Sequence, residues 1–143
     1  MIKLRKIFIL SIALLFASVL FADMVVPVSA LPQSARSFIQ NTFPNAQIFK
    51  VEGDDGKFKA KLNNGIEIKF LPNGEWESID SDYTPIPPTV LPNAVQNTVK
   101  NSYPQALITD VEKEFGNYKI KLNNMTELFI SSSGQLIGQK MDD

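Results

Sequence analysis

Four glutamates and a set of lysines carry most of the chemistry that residue type and spacing offer here. Glu52 and Glu67 return as Glu112 and Glu127 about sixty residues later. Two carboxylates that converge in a cleft can divide acid and base roles, as in glycoside hydrolysis. An enzyme built on this chain needs that convergence, because it has no histidine and no cysteine. Their absence removes Ser-His-Asp and Cys-His nucleophile systems and the usual zinc and copper ligand sets. No glycine-rich phosphate loop is present. The plainer reading is that Glu67 faces Lys61 across a hairpin and Glu127 faces Lys121, as surface pairs worth at most about 1 kcal/mol. No catalytic residue and no cofactor is expected. Asp54-Asp55 and Asp80-Ser81-Asp82 supply oxygen atoms suited to calcium, but neither completes a calcium-loop pattern, so no metal site is assigned.

The carboxylates recur because the chain repeats. Leu31-Pro32 returns as Leu91-Pro92. Asn41, Pro44, Ala46, Ile48 and Val51 return as Asn101, Pro104, Ala106, Ile108 and Val111. Lys59-Ala60-Lys61-Leu62-Asn63-Asn64 returns as Lys119-Ile120-Lys121-Leu122-Asn123-Asn124, and Gly74 as Gly134. No insertion is needed to align the copies. The expected organisation is a signal peptide over 1–22, a lead-in over 23–30, a first repeat over 31–82, a connector over 83–90 and a second repeat over 91–143. Each unit has only about fifty residues, a size at which an isolated core is marginal, and no disulfide is available. The two units are expected to pack as one body.

Each unit opens with a short amphipathic helix. Ala35, Phe38, Ile39 and Phe43 follow Pro32 at helical spacing, and Val95, Val99 and Tyr103 follow Pro92. Pro44 and Pro104 stop the helices. Strands come next. Gln47–Glu52 and Leu107–Glu112 are short β-prone runs. Over 57–62, Phe58, Ala60 and Leu62 share one face and three lysines share the other. Asn63-Asn64-Gly65 is a hairpin loop with glycine at the left-handed position, which pairs Leu62 with Ile66, Ala60 with Ile68 and Phe58 with Phe70. A second turn at Pro72-Asn73-Gly74 places Trp76 opposite Phe70, facing in. Alternation from Trp76 then turns Ile79 outward. The second unit repeats the pattern, with Met125 in place of Gly65 and a loop expected to differ in shape there. Tyr83–Val90, with three prolines, is expected to be a stiff, extended tie.

The order Leu-Pro, amphipathic helix, Phe-Pro or Tyr-Pro, Ile-x-x-Val-Glu, strand, Gly and Trp resembles the exported PepSY-like family, known as beta-lactamase-inhibitor-like. Its carriers are Leu31-Pro32, Phe43-Pro44, Ile48, Val51-Glu52, Phe58, Phe70, Gly74 and Trp76. Leu91-Pro92, Tyr103-Pro104, Ile108, Val111-Glu112, Tyr118 and Gly134 carry it again, with Leu136 where Trp76 sits. The resemblance implies an α+β fold of two tandem helix-plus-antiparallel-sheet repeats, their sheets forming one surface. It also implies a periplasmic or secreted protein with no established catalysis.

The N-terminus agrees with export. Lys3, Arg5 and Lys6 precede an apolar run from Ile7 to Ala22 broken only by Ser11 and Ser18, the layout of a secretory signal peptide. Cleavage is expected after Ala22, with Ala30 or retention as an anchor as alternatives. Residues 1–22 hold three of the 14 basic residues and none of the 15 acidic ones, so their removal leaves 11 against 15, a net charge of −4. A mildly acidic body is a poor match for nucleic acid or for a membrane surface. The expected partner is an envelope or secreted protein. Its expected contact surface is the outer face of the sheet: Lys57, Lys59, Lys61, Lys69 and Ile79 in the first unit, and Lys119, Lys121, Phe129 and Ile137 in the second. Apolar groups rimmed by charge are what a protein interface presents. The function expected is a non-catalytic module that holds or inhibits a protein. The alternative is a periplasmic sensor for a small ligand or calcium.

Overall fold

A computed structural model describes residues 23–141. The predicted signal peptide lies outside the described residues. Nine antiparallel strands form one sheet in chain order: β1 (Met24–Val26), β2 (Ile48–Asp54), β3 (Lys57–Leu62), β4 (Ile66–Phe70), β5 (Trp76–Ser81), β6 (Ile108–Glu114), β7 (Asn117–Leu122), β8 (Thr126–Ser131) and β9 (Leu136–Met141). Two helices, α1 (Gln33–Thr42) and α2 (Asn93–Ser102), lie on one face. A helix followed by four strands thus occurs over 33–81 and again over 93–141. The predicted α+β class and the amphipathic helices are observed. The two sets of strands join edge to edge, β5 on β6, where Ser78 faces Glu112, Ile79 faces Val111 and Asp80 faces Asp110.

Alternation decides the two faces. One inward row runs Val51, Ala60, Ile68, Ile79, Val111, Ile120, Leu128 across seven neighbouring strands, and none of these is more than 1% exposed. Ala35 and Ile39 of α1, and Val95 and Val99 of α2, close over this row. Ten-residue helices are too short to be stable alone, so packing on the sheet holds them. Gly74 and Gly134 sit beneath the helices at φ 86° and 92°. A Cβ at Gly74 would collide with Ser34, and one at Gly134 would stand 2.7 Å from the Ala94 carbonyl. The repeated asparagine pair is structural: Asn63 Oδ1 accepts from the Gln47 N–H (3.0 Å) and Asn123 Oδ1 from the Leu107 N–H (2.9 Å), tying each hairpin to the preceding strand.

Several expectations change. Ile79 faces inward and is fully buried. Glu77 is the extra residue of a β-bulge, so Phe70 pairs with Trp76 but Lys69 pairs with Ser78. An unpaired residue shifts the alternation by one and reverses every later side chain. Ile79 is therefore removed from the outer surface. The lead-in contributes β1, which pairs with β2 over Gly53, Glu52 and Val51. The connector is not simply extended: Ile86 donates its N–H to the Ile108 carbonyl (2.9 Å) and is buried, and Pro88–Val90 forms a 3-10 turn. Met125 takes φ 68°, close to the 86° of Gly65, so the second hairpin loop keeps its shape.

Candidate functional site

The face opposite the helices carries two rows of side chains that the pleat aligns across the sheet. The first runs Lys50, Lys61, Glu67, Asp80, Asp110, Lys121, Glu127, Lys140 over eight strands. The second runs Glu52, Lys59, Lys69, Ser78, Glu112, Lys119, Phe129, Gly138. Seven of the nine residues predicted for the contact surface, Lys59, Lys61, Lys69, Lys119, Lys121, Phe129 and Ile137, belong to these rows or to the bulge beside them. Lys57 lies at the rim, 3.1 Å from Glu77. Ile79 is the exception, buried on the other side.

The lysines are engaged with carboxylates. Lys59 lies 3.6 Å from Asp23 and 3.7 Å from Glu67. Lys61 lies 3.7 Å from Glu52 and 3.8 Å from Glu67. Lys119 is 2.9 Å from Glu112 and 3.8 Å from Glu114, and Glu112 raises its pKa above the ordinary value. Lys121 lies between Asp110 and Glu127 in its row. Lys50, hydrogen-bonded to Glu52 at 2.7 Å, holds that carboxyl below the usual range. Glu67 opposes Lys61 and Glu127 opposes Lys121, as predicted. The repeated glutamates thus sit among lysines, each beside the cation of its own half.

The carboxylates that do meet are different ones. Asp80 and Asp110 face each other where β5 joins β6, with Glu67 on the far side of Asp80. Partial burial, the hydrogen bond to Asp110 and the charges of Asp110 and Glu67 push the Asp80 carboxyl up to about 6. Asp54 is raised likewise, by a hydrogen bond to Asp23. Among the described residues, no group of three or more acidic side chains is arranged to hold a metal ion.

The two halves differ most at equivalent corners of this face. In the first half, a cleft of about 290 Å³ is lined by charge, with Asp54, Lys57, Lys59, Lys69 and Glu77 around Phe58. In the second, a cleft of about 190 Å³ is lined by Glu114, Phe115, Asn117, Tyr118, Lys119, Phe129 and Ile137. Asp55, Lys69 and Glu77 of the first half correspond to Phe115, Phe129 and Ile137. Ile137 is the residue that the second bulge leaves out of register, and it stands 57% exposed beside Phe129. Phe115 is fully exposed at a turn with φ 49°, a conformation that β-carbon sterics disfavour. Reading the residues missed Phe115, although aligning the copies shows its change from Asp55. Trp76 faces in, as predicted, between Phe38 of α1 and Tyr118 of β7, with Lys113 Nζ 3.8 Å from its ring centroid.

Solved structures share this architecture. A protein from Bacteroides vulgatus described as a "putative periplasmic protein" superposes with a TM-score of 0.76 at 25% identity, covering 82% of this chain and 96% of its own. A protein from Bacteroides thetaiotaomicron described as a "putative calcium-regulated periplasmic protein" gives 0.75 at 30% identity, covering 82% and 96%. A second Bacteroides vulgatus protein, described as a "putative periplasmic protein of unknown function", gives 0.74 at 28%, covering 83% and 99%. No curated protein matches the sequence. Like these relatives, the chain is a periplasmic or secreted protein, and among its described residues no helix is long and apolar enough to cross a membrane. The family model described as "Putative beta-lactamase-inhibitor-like, PepSY-like" matches residues 21–70 and 56–138, and the chain belongs to that family.

Proposed function

We propose that the chain is an exported, non-catalytic binding module that holds or inhibits an envelope or secreted protein through the outer face of its sheet. It is a tandem duplication of one helix-plus-sheet unit, exported by a signal peptide that is removed after Ala22. Cleavage there retains β1, whereas cleavage after Ala30 would strip it from β2. The observation that carries the binding reading is the change from Asp55, Lys69 and Glu77 to Phe115, Phe129 and Ile137 at equivalent corners. The cores are alike, so the fold does not require this exchange. An apolar cleft rimmed by Lys119 and Glu114 fits a partner's aromatic or aliphatic anchor, with the flanking charge rows fixing orientation.

The test is affinity capture of the tagged exported protein from a periplasmic extract of its host. The control is the double variant Phe129→Lys and Ile137→Glu, which restores the residues of the first half. A hot-spot contact contributes about 2 kcal/mol, or roughly thirtyfold in affinity. One protein recovered with the wild type and lost with the variant is expected. An identical recovered set from both proteins would overturn the reading.

A second reading, a calcium-responsive module, is favoured by the description of the Bacteroides thetaiotaomicron relative and by the facing Asp80 and Asp110. Calorimetric titration with calcium tests it: heat that disappears in Asp80→Asn supports it, and no heat with the wild type removes it.

A further inference from the structure

We infer that the β9 edge is a self-association site, at which a second copy of the chain pairs β9 on β9 about a two-fold axis. The two ends of the sheet are not alike. On β2, the short strand β1 takes the place that β5 takes on β6: Val26 faces Val51 as Ile79 faces Val111, and Val25 faces Glu52 as Ser78 faces Glu112. That covers β2 and leaves only a three-residue strand as the edge there. At the other end β9 corresponds to β5, the strand whose outer edge β6 occupies within the chain, and among the described residues nothing lies on it. The consequence shows in exposure. Trp76 of β5, against Lys113 of β6 and Tyr118 of β7, is 7% exposed, whereas its equivalent Leu136 is 41% exposed and Met141 is 66% exposed.

The sequence of β9 is self-complementary in one antiparallel register. With Gln139 on the axis, Gln139 faces its own mate and Lys140 faces Gly138 of the second copy. The bulge at Ile137 then brings Leu136 opposite Met141 of the second copy on the helix side of the sheet. The apolar residues cover one another there. Lysine commonly guards an open edge, but in this register its stem lies over a glycine and no like charges meet. A shift by one pair would set Lys140 against Lys140 and is disfavoured. Pairing on β2 of another copy, in the register β5 uses on β6, would oppose Lys140 to Lys50 and Gln139 to Val51, besides displacing β1. The helices permit the two-fold arrangement. Helix α2 packs over β8, and β8 and its mate would stand three strand spacings apart, about 14 Å, against the 8–10 Å of packed helices. The assembly is closed, because a two-fold pairing uses the β9 edge of both copies and leaves only the three-residue β1 at each outer end.

Sedimentation equilibrium of the exported protein, from micromolar to millimolar concentration, reads the association. The wild type should move from monomer to twice its mass. Gln139→Glu and Gln139→Lys, each placing like charges on the axis, should stay monomeric alone and form a dimer when mixed. Gln139→Cys gives an independent reading, since the chain has no other cysteine. Facing antiparallel Cα atoms lie about 5 Å apart, within disulfide range, so mild oxidation should cross-link this variant while Lys140→Cys lags at least tenfold. A wild type that remains monomeric throughout overturns the inference and assigns the apolar edge to a different protein. Dimerisation of Gln139→Glu alone as strong as that of the wild type also overturns it. These variants leave Phe115, Phe129 and Ile137 intact, so capture of a heterologous partner is scored separately.

Discussion

Replacing Ile79 with alanine tests the account of the join between the two halves. Ile79 is fully buried between Ile68 and Val111, which are themselves fully buried, where β5 of one half pairs with β6 of the other. Ile→Ala in a core costs about 2–5 kcal/mol, depending on how far the surroundings can collapse. Here backbone hydrogen bonding on both sides of β5 limits collapse of the neighbours, so the cost should fall above the low end of that range, at about 3–4 kcal/mol. That is a large share of the roughly 5–15 kcal/mol of a domain this size. With a urea dependence of about 2 kcal/mol per molar, the midpoint should fall by about 2 M. Trp76 is the single tryptophan and packs on Tyr118 across the same join, so its fluorescence reports the event directly. Fluorescence and far-ultraviolet circular dichroism should give coincident transitions in both proteins. Ile137→Ala, on the exposed bulge, should cost less than about 0.5 kcal/mol. The reasoning fails if Ile79→Ala is as stable as the wild type, or if fluorescence changes well before the dichroism. The second result would mean that the join opens while the halves stay folded.

Two further outcomes are expected. Asp80 has a raised folded-state pKa, so the stability linked to it is fully present below its ordinary value of 3.8 and is lost as pH rises through about 6. The gap is worth about 3 kcal/mol unscreened. Solvent at this exposed strand position removes more than half of that, leaving about 1 kcal/mol. Thermal unfolding should therefore show the wild type gaining stability from pH 7 to pH 5 and Asp80→Asn gaining less over that range; equal slopes would count against the pairing with Asp110. Met125→Gly, which relieves a positive φ at the cost of a freer unfolded chain, should stabilise by about 0.5 kcal/mol in urea titration, and a loss of more than about 1 kcal/mol would show that the Met125 side chain packs.

Local pattern determined much of this protein. The spacing of Ala35, Ile39, Val95 and Val99 defined the helices. The alternation of Phe58, Ala60 and Leu62 with three lysines defined a half-buried strand, and Asn63-Asn64-Gly65 fixed the hairpin register that places Glu67 opposite Lys61. These signals are legible because each arises from neighbours within a few residues. The recurrence of the motifs carried the family as well. Tertiary structure decided what depends on register and on distant pairing. The bulges at Glu77 and Ile137 add one unpaired residue that no local periodicity marks, and each reverses the faces of the residues that follow, which is why Ile79 lies in the core. The pairing of β5 with β6 brings together Asp80 and Asp110, thirty positions apart, through a connector anchored by Ile86. The apolar corner likewise draws Phe115, Phe129 and Ile137 from a turn, a strand and a bulge. Their types were visible in the sequence, but their meeting was not, because a contact between separate strands follows from the order in which the sheet is assembled.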